Sequence, residues 1–442
     1  MGRLFGTDGV RGRYGRELTD DLARALGRAA VVVLRRHDDD HVSFVIGRDP
    51  RTSGVPLEAA LAEGITSAGG DAYLLGIEPT PAVAFLTSAV GHWSGVMISA
   101  SHNPPEDNGI KLFSSSGFKL SDELEDEIEA EMRDPAGERF APGRVLDLPA
   151  DTPDYVDHVV GTAEAALDGM RIVVDCANGA ASVVAPRALG RLGAEVIAIN
   201  ADPRGSNINV GCGALHPEVV AAEVVARGAD AGVAHDGDAD RALFADADGN
   251  VIDGDQVLAA SALAMHEDGT LENDLVVATV MSNLGLRVAM RDAGIELVET
   301  PVGDRYVLER MEERGAMLGG EQSGHVIFRE FATTGDGLIT AARFLSLAAR
   351  RGVSVREVAS AMRRYPQVLL NISVRDKHEL GDAEAVWDAV REVEVALEGS
   401  GRVLVRSSGT EDLVRVMVEA ESEDLAARHA EAIAALVRSS LA

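Results

Sequence analysis

Residues 95–111 read Gly-Val-Met-Ile-Ser-Ala-Ser-His-Asn-Pro-Pro-Glu-Asp-Asn-Gly-Ile-Lys, and the fold turns on how that stretch changes character. Gly95-Val96-Met97-Ile98 is a short apolar run of the kind that forms a buried strand. From Ser99 the chain becomes polar at once, with two serines, a histidine, two asparagines and consecutive prolines before Lys111. Such a change puts small nucleophilic and basic groups on a loop at a strand end, where α/β sheets place their sites. Pro104 and Pro105 supply no N–H and fix φ, so the loop cannot continue as helix.

Working outward, the same rhythm recurs. Strands are predicted at 41–47, 72–75 and 95–98, with a helix over 55–69. Further strands are expected at 170–175, 195–199 and 231–234, and again at 274–280, 296–299 and 316–318. Apolar strands alternating with helices point to three related α/β units. Asp122 to Met132 reads as a helix with a solvated acidic face, and the Pro- and Gly-rich segment 133–153 as a linker. After Pro366 a smaller α+β piece follows: strand, helix, strand, loop, strand, helix. The fold class is therefore α/β, three related mixed domains plus a C-terminal α+β domain. The boundaries expected are 1–152, 153–252, 253–366 and 367–442.

The chain has 442 residues, 46% of them hydrophobic, enough for several cores. With 72 Asp+Glu against 41 Lys+Arg, its formal charge of −31 argues against a nucleic-acid backbone or an anionic membrane as partner. An anionic substrate would need a local basic site. Two cysteines, Cys176 and Cys212, form no disulfide framework and no CxxC pair, which suits a reducing, cytoplasmic setting. The N-terminus carries no apolar leader, and no apolar run approaches the roughly 18 residues of a membrane span.

Four further stretches carry chemistry. Gly6 to Gly12 would let backbone N–H groups approach an anion, with Arg11 beside it. His235-Asp236-Gly237-Asp238-Ala239-Asp240-Arg241 sets three carboxylates at alternate positions directly after a strand. Three such anions gather only around a cation, and an all-oxygen site suits Mg²⁺. An EF-hand is excluded, because its Gly and Glu positions are Arg241 and Ala247 here. Gly319 to His325 exposes backbone beside Glu321, Ser323 and His325, a set suited to sugar hydroxyls and proton transfer. Arg406-Ser407-Ser408-Gly409-Thr410-Glu411-Asp412, with Arg415 on the next strand, has the parts of a phosphate clamp.

The stretches S-A-S-H-N-P, D-G-D-A-D-R, G-E-Q-S-G-H and R-S-S-G-T-E, in this order across the whole chain, resemble the α-D-phosphohexomutase superfamily. Gly6 to Gly12, Val302 to Tyr306 and Gln322 resemble its bacterial branch that converts glucosamine 6-phosphate to glucosamine 1-phosphate, on the route to UDP-N-acetylglucosamine and cell wall. The resemblance implies four domains around a central cleft. It implies that Ser101 carries a phosphoryl group, primed by glucosamine 1,6-bisphosphate or glucose 1,6-bisphosphate. Asp236, Asp238 and Asp240 would bind Mg²⁺ with an oxygen of the phosphoserine. Arg241, His102 and Lys111 would surround the transferring phosphoryl, with His325 near the sugar and Glu321 and Ser323 on its hydroxyls. Arg406, Ser408, Gly409, Thr410 and Arg415 would bind the phosphate that does not react. The family commonly has proline where this chain has Ser407 and Asp412, so the clamp loop is expected to be less rigid here.

Lysine is rare: Lys111, Lys119 and Lys377 are all there is among 41 Lys+Arg, and two of the three follow the Ser101 loop closely. Burial or cationic neighbours would lower an ammonium pKa, so Lys111 is expected to move a proton as well as supply charge. Three other readings stay open. These are a mutase of glucose or mannose phosphates, an aspartyl-phosphate sugar phosphatase using Asp236, and a sugar-phosphate binding protein without catalysis. The partner expected is a small sugar phosphate, with the chain a monomer or homodimer.

Overall fold

A computed structural model describes residues 3–6, 8–37, 42–90, 93–135, 137–138, 140–397, 399–408 and 412–441. The chain divides into two compact units, Met1–Val280 with Glu296–Ser360, and Met281–Ile295 with Ala361–Ala442.

The first unit is built on three sheets with one recurring path. In the first, Ser43–Arg48, Asp71–Ile77 and Trp93–Ile98 pair in parallel, joined by helices Gly54–Ser67 and Thr80–Val90. The chain then turns back as Asp107–Phe113, antiparallel to Trp93–Ile98. The second repeats this with Arg171–Asp175, Glu195–Ile199 and Ala231–His235, returning as Ala242–Asp246. The third does so with Leu275–Thr279, Glu296–Thr300 and Leu318–Gly320, returning as Val326–Phe328. In each sheet the first of these strands lies between the other two. Phe44, Val45, Ile46 and Ile172, Val173, Val174 are all buried, because helices cover both faces of parallel strands and each side chain must be apolar. The three stretches singled out above occupy the same place in each repeat, between the third parallel strand and its antiparallel return.

The return strands Asp107–Phe113, Ala242–Asp246 and Val326–Phe328 were not among the expected strands, and two further segments add to the sequence reading. Val10–Arg13, inside the glycine- and arginine-rich stretch, is an edge strand paired with Asp107–Phe113, Arg11 opposite Gly109. The segment expected to be a linker contains Val145–Leu146, paired in parallel with Ala72 and Tyr73. A Cβ on Gly143 would lie 1.9 Å from the Gly70 carbonyl oxygen, so only glycine lets that crossing come so close.

The second unit has a three-stranded antiparallel sheet, with Leu413–Glu419 between Gln367–Ser373 and Arg402–Ser407. Helices Glu384–Leu397 and Glu423–Leu441 place Val386, Val390, Ile433 and Val437 in its core. Helix Leu284–Ala293 also belongs here, although in chain order it connects two strands of the third sheet. Its docking centres on Glu419, a fully buried carboxylate. Glu419 accepts from Asn283 Nδ2 (3.1 Å), Leu284 N (2.9 Å), Gln367 Nε2 (2.9 Å) and Arg402 Nε (3.0 Å). Four donors repay the desolvation of one charge. No helix among the described residues is long and apolar enough to cross a membrane.

Helices Asp20–His37 and Gly54–Ser67 approach through two glycines. A Cβ on Gly64 would lie 2.1 Å from the Arg24 carbonyl oxygen, and one on Gly27 would lie 2.5 Å from that of Leu61. Alanine gains about 1 kcal/mol in helix propensity, but backbone cannot yield as a side chain can. Gly64→Ala should therefore be destabilising on balance, by about 1–3 kcal/mol. A urea unfolding curve checks this, and an unchanged or raised midpoint would show that the helices can part at no cost.

Candidate active site

Ser101 sits in the first of the three return loops, 2% exposed and at φ 50°, in the left-handed region that non-glycine residues avoid. Its amide donates to Ser99 Oγ at 2.9 Å, and its Oγ donates to Asp236 Oδ2 at 2.7 Å. His102 Nδ1 lies 3.3 Å from the same Oγ. Burial lowers the pKa of His102 to about 4, with Arg241 and Arg11 adding to it, so the imidazole is neutral at physiological pH.

The second return loop brings Asp236, Asp238 and Asp240 together, each with an oxygen within 4.8 Å of the others and all three buried. The loop is held from outside by backbone. Thr80 N donates to Asp238 O at 3.0 Å, Ala180 N to Gly237 O at 2.8 Å and Gly337 N to Ala239 O at 3.0 Å. Gly237 and Gly337 are glycines for cause, since Cβ atoms there would lie 2.6 Å from Ser101 O and 2.3 Å from Arg241 O. Burial, and then the carboxylates of Asp240 and Asp238, push Asp236 well above the usual carboxylate range. Asp238 goes the other way. Burial would raise it, but Lys111 and the Thr80 hydroxyl, which donates to Oδ2 at 2.6 Å, hold it at about 2.

A metal fits this cluster. Oδ1 of Asp238 and Oδ1 of Asp240 are buried without a hydrogen-bond partner, an expensive arrangement for carboxylate oxygens unless a cation takes them. The donors are all hard oxygens, which suits a hard divalent ion rather than a thiophilic one.

A line of alternating charges leads away from the carboxylates. Lys111 Nζ lies 3.3 Å from Asp238 Oδ2, 3.8 Å from Asp240 Oδ2 and 3.3 Å from Asp8 Oδ2. Asp8 also pairs with Arg11, and with Lys119 at 2.6 Å; Lys119 reaches Asp304 Oδ2 at 2.6 Å. Asp304 ends the line 3.8 Å from His325 Nε2. His325 is 3% exposed and neither ring nitrogen has a hydrogen-bond partner. Beside it, a cavity of about 270 Å³ is lined by Phe118, Lys119, Asp304, Leu308, His325 and Thr334, among others. The sequence reading of Lys111 needs correction here. Burial does lower an ammonium pKa, but Asp8, Asp238 and Asp240 outweigh it and raise the pKa above the ordinary value.

The third return loop docks on the second. Ala242 N donates to Gly324 O at 3.0 Å, and a Cβ on Gly324 would lie 2.4 Å from the Ala242 carbonyl oxygen. Glu321 Oε1 accepts from Gly303 N at 3.1 Å, and its Oε2 lies 3.5 Å from Ser323 Oγ. Arg241 Nε stands 3.9 Å from both Asp236 Oδ2 and Asp240 Oδ1, and those carboxylates raise its pKa against the effect of burial.

The structure thus gathers Ser101, His102, Lys111, Asp236, Asp238, Asp240 and Arg241 in one place and links Arg11 and His325 to it. The residues expected to form a C-terminal phosphate clamp belong to the second unit. There Arg406 and Arg415 are directly opposed on neighbouring strands, and burial together with Arg415 lowers the Arg406 pKa. Ser408 is buried at the end of the same strand pair, while Gly409 and Thr410 lie outside the described residues. Sequence reading did not name Thr80, Arg51 or Asn209, and gave Asp8, Lys119 and Asp304 no role of their own. The available signals were Thr80 at the start of a helix just after a strand and Lys119 as one of three lysines.

Comparison with known proteins follows the same outline. Family models of phosphoglucomutase/phosphomannomutase match residues 2–138 (alpha/beta/alpha domain I), 153–249 (domain II), 253–365 (domain III) and 369–436 (C-terminal domain). The phosphoglucosamine mutase of Thermobifida fusca is 53% identical over 445 residues, covering 100% of this chain and 99% of that protein. That of Saccharopolyspora erythraea is 54% identical over 441 residues, with 99% of each covered. Among solved structures, a phosphoglucomutase/phosphomannomutase family protein of Burkholderia thailandensis superposes with a TM-score of 0.82 at 27% identity, over 99% of this chain and 97% of that one. The N-acetylphosphoglucosamine mutase of Aspergillus fumigatus, solved with GlcNAc-6P and magnesium, shares the fold (TM-score 0.66) at 19% identity, over 99% and 95% of the two chains.

If the three carboxylates hold a cation, Asp240→Asn should weaken its binding roughly tenfold or more, the scale seen even for outer-shell partners of metal sites. Calorimetric titration with Mg²⁺ as probe reads this without an activity assay. Equal affinity in the variant and the parent would rule the cluster out as the site.

Proposed function

The chain belongs to the phosphoglucomutase/phosphomannomutase family, and from that membership we propose that it interconverts glucosamine 6-phosphate and glucosamine 1-phosphate. The observation that carries the reading is the 2.7 Å hydrogen bond from Ser101 Oγ to Asp236. It sets a buried hydroxyl against a three-carboxylate cluster, in a chain more than half identical, end to end, to proteins named for this reaction.

Ser101 carries the phosphoryl group. In one half-reaction the P–Oγ bond breaks as a bond forms from phosphorus to a hydroxyl of the sugar monophosphate, giving a bisphosphorylated sugar. In the other, a phosphoryl returns from the opposite end of that sugar to Ser101 Oγ. Dividing the transfer in two lets one site act on both ends of the ring. Lys111 and Arg241, both held protonated by carboxylates, neutralise charge on the phosphoryl oxygens. Asp236, Asp238 and Asp240 would hold Mg²⁺, which supplies further charge neutralisation when bound. The proton of the attacking hydroxyl goes to His325, whose ring nitrogens are buried without partners and which Asp304 faces at 3.8 Å. His102, neutral beside Oγ, orients the serine oxygen. Glu321 and Ser323 hold sugar hydroxyls. Arg406, Ser408, Gly409, Thr410 and Arg415 bind the phosphate that is not reacting, Arg11 adds positive charge at the site, and glucosamine or glucose 1,6-bisphosphate primes the serine. The cytoplasm, where such a substrate is made and used, is the compartment we assign.

Glucosamine 6-phosphate should be turned over with kcat/KM about 10-fold or more above glucose or mannose 6-phosphate, a difference that one substituent can supply. Coupled isomerisation assays primed with bisphosphate check this. Equal turnover of all three would overturn the sugar assignment, and phosphate release without isomerisation would replace the mutase with a phosphatase. Ser101→Ala should keep its fold and lose nearly all turnover, while peptide mass analysis finds phosphate on Ser101 of the parent. Phosphate on Ser99, with an active Ser101→Ala variant, would sink the assignment.

A further inference from the structure

Arg51 is fully buried, the largest side chain among the described residues to be so, and no substrate could reach it. Its guanidinium is spent on one short stretch of chain. Nη2 donates to Ser101 O at 2.9 Å and to Asn103 O at 2.8 Å; Nη1 donates to Asp107 O at 3.0 Å and also to Pro104 O. Nε donates to Asp49 Oδ2 at 2.9 Å, and Asp49 Oδ2 accepts from Ser99 Oγ at 2.6 Å. That hydroxyl is the one that accepts the Ser101 amide. Arg51 therefore holds the loop by its carbonyls directly and by the Ser101 N–H through Asp49 and Ser99.

A second side chain converges on the same two carbonyls from the second α/β repeat. Asn209 Nδ2 donates to Ser101 O at 2.8 Å and to Asn103 O at 3.1 Å. Asn209 is itself placed by its amide, which donates to Ala177 O at 2.9 Å. The oxygen of residue 101 thus faces a guanidinium and a carboxamide from different parts of the chain, while its φ of 50° is one that an unrestrained serine would leave. Neither Pro104 nor Pro105 explains that conformation, since both lie beyond the residue that adopts it.

We propose that Arg51 and Asn209 are positioning residues for phosphoryl transfer: together they clamp the carbonyls of residues 101 and 103, locking Ser101 in the left-handed conformation that aims Oγ at the carboxylate cluster. The inference rests on Ser101 being the phosphoryl carrier. A planar fork is needed on the Arg51 side, because four carbonyls and a carboxylate lie around one plane of donors that an ammonium cannot reproduce. Lysine there keeps the charge opposite Asp49 and loses the fork.

The test compares Arg51→Lys, Asn209→Ala and the double variant. Misplacing a reacting atom by about 1 Å costs on the order of 10²-fold, so kcat should fall about that far in Arg51→Lys and about tenfold in Asn209→Ala. KM and Mg²⁺ affinity should stay within about twofold, since neither residue touches substrate or Asp236, Asp238 and Asp240. Because both act on the same two carbonyls, the double variant should lose little more kcat than Arg51→Lys alone, whereas independent effects would multiply. A purely structural role predicts lowered thermal midpoints with kcat per folded molecule intact, and that result would overturn the proposal. So would a multiplicative double variant, or a KM that rises while kcat holds. If Arg51→Lys does not fold, Asn209→Ala decides alone by its kcat and KM. Phosphate on Ser101 of the parent separates the two levels: its absence refutes the carrier assignment, whereas its presence with unaffected variants refutes only the clamp.

Discussion

Three carboxylates buried within 4.8 Å of one another are the constraint to which the surrounding structure answers. Their mutual repulsion and lost hydration would oppose folding by several kcal/mol per uncompensated ion. Lys111 lies against two of them, Arg241 stands between two, and the Thr80 hydroxyl and the Ser101 hydroxyl each give one hydrogen bond. The compensation is incomplete: two oxygens are left without hydrogen-bond partners, and a cation could take them. Each compensating group comes from a different strand end or loop, so the cluster exists only when the first two repeats are packed together. Function and assembly are therefore one requirement here.

The recurring path of the chain explains how so many loops reach one place. Each sheet sends its third parallel strand toward the site and brings the chain back antiparallel, so the turn between them is short and held at both ends. The turns are then tied by backbone to helix starts and to each other: Ala180 N to Gly237 O, Gly337 N to Ala239 O and Ala242 N to Gly324 O. Backbone donors of fixed geometry suit a site in which side-chain freedom is needed for ligands. Close approach of backbone to backbone also accounts for Gly237, Gly324 and Gly337, where any Cβ would meet a carbonyl.

The groups legible in the sequence share one property: their chemistry is local. Ser101 stands in a polar loop after an apolar strand, and the aspartates recur at every second position, so each could be read from its neighbours in the chain. Asn209 and Arg51 could not, because they reach Ser101 across 108 and 50 residues of sequence. The Lys111 error has the same origin. The sequence reading considered burial and cationic neighbours, and burial alone lowers an ammonium pKa. The acids that reverse the sign, Asp8 and Asp238, lie 103 residues before it and 127 after it, and only tertiary structure brings them together. Strand Val145–Leu146 was missed because two residues between prolines and glycines carry no periodicity.

Why lysine survives at two positions in a chain that otherwise favours arginine follows from the same geometry. Lys111 serves Asp8 on one loop and Asp238 and Asp240 on another, and Lys119 serves Asp8 and Asp304. A compact ammonium directs three donors around a point, whereas a guanidinium presents its donors in one plane. Arg51 shows the opposite case. It meets carbonyls arrayed along one loop. The cation at each position is matched to the arrangement of its anions. On that account, exchanging lysine for arginine at 111 would disturb the site through shape, with the charge left unchanged.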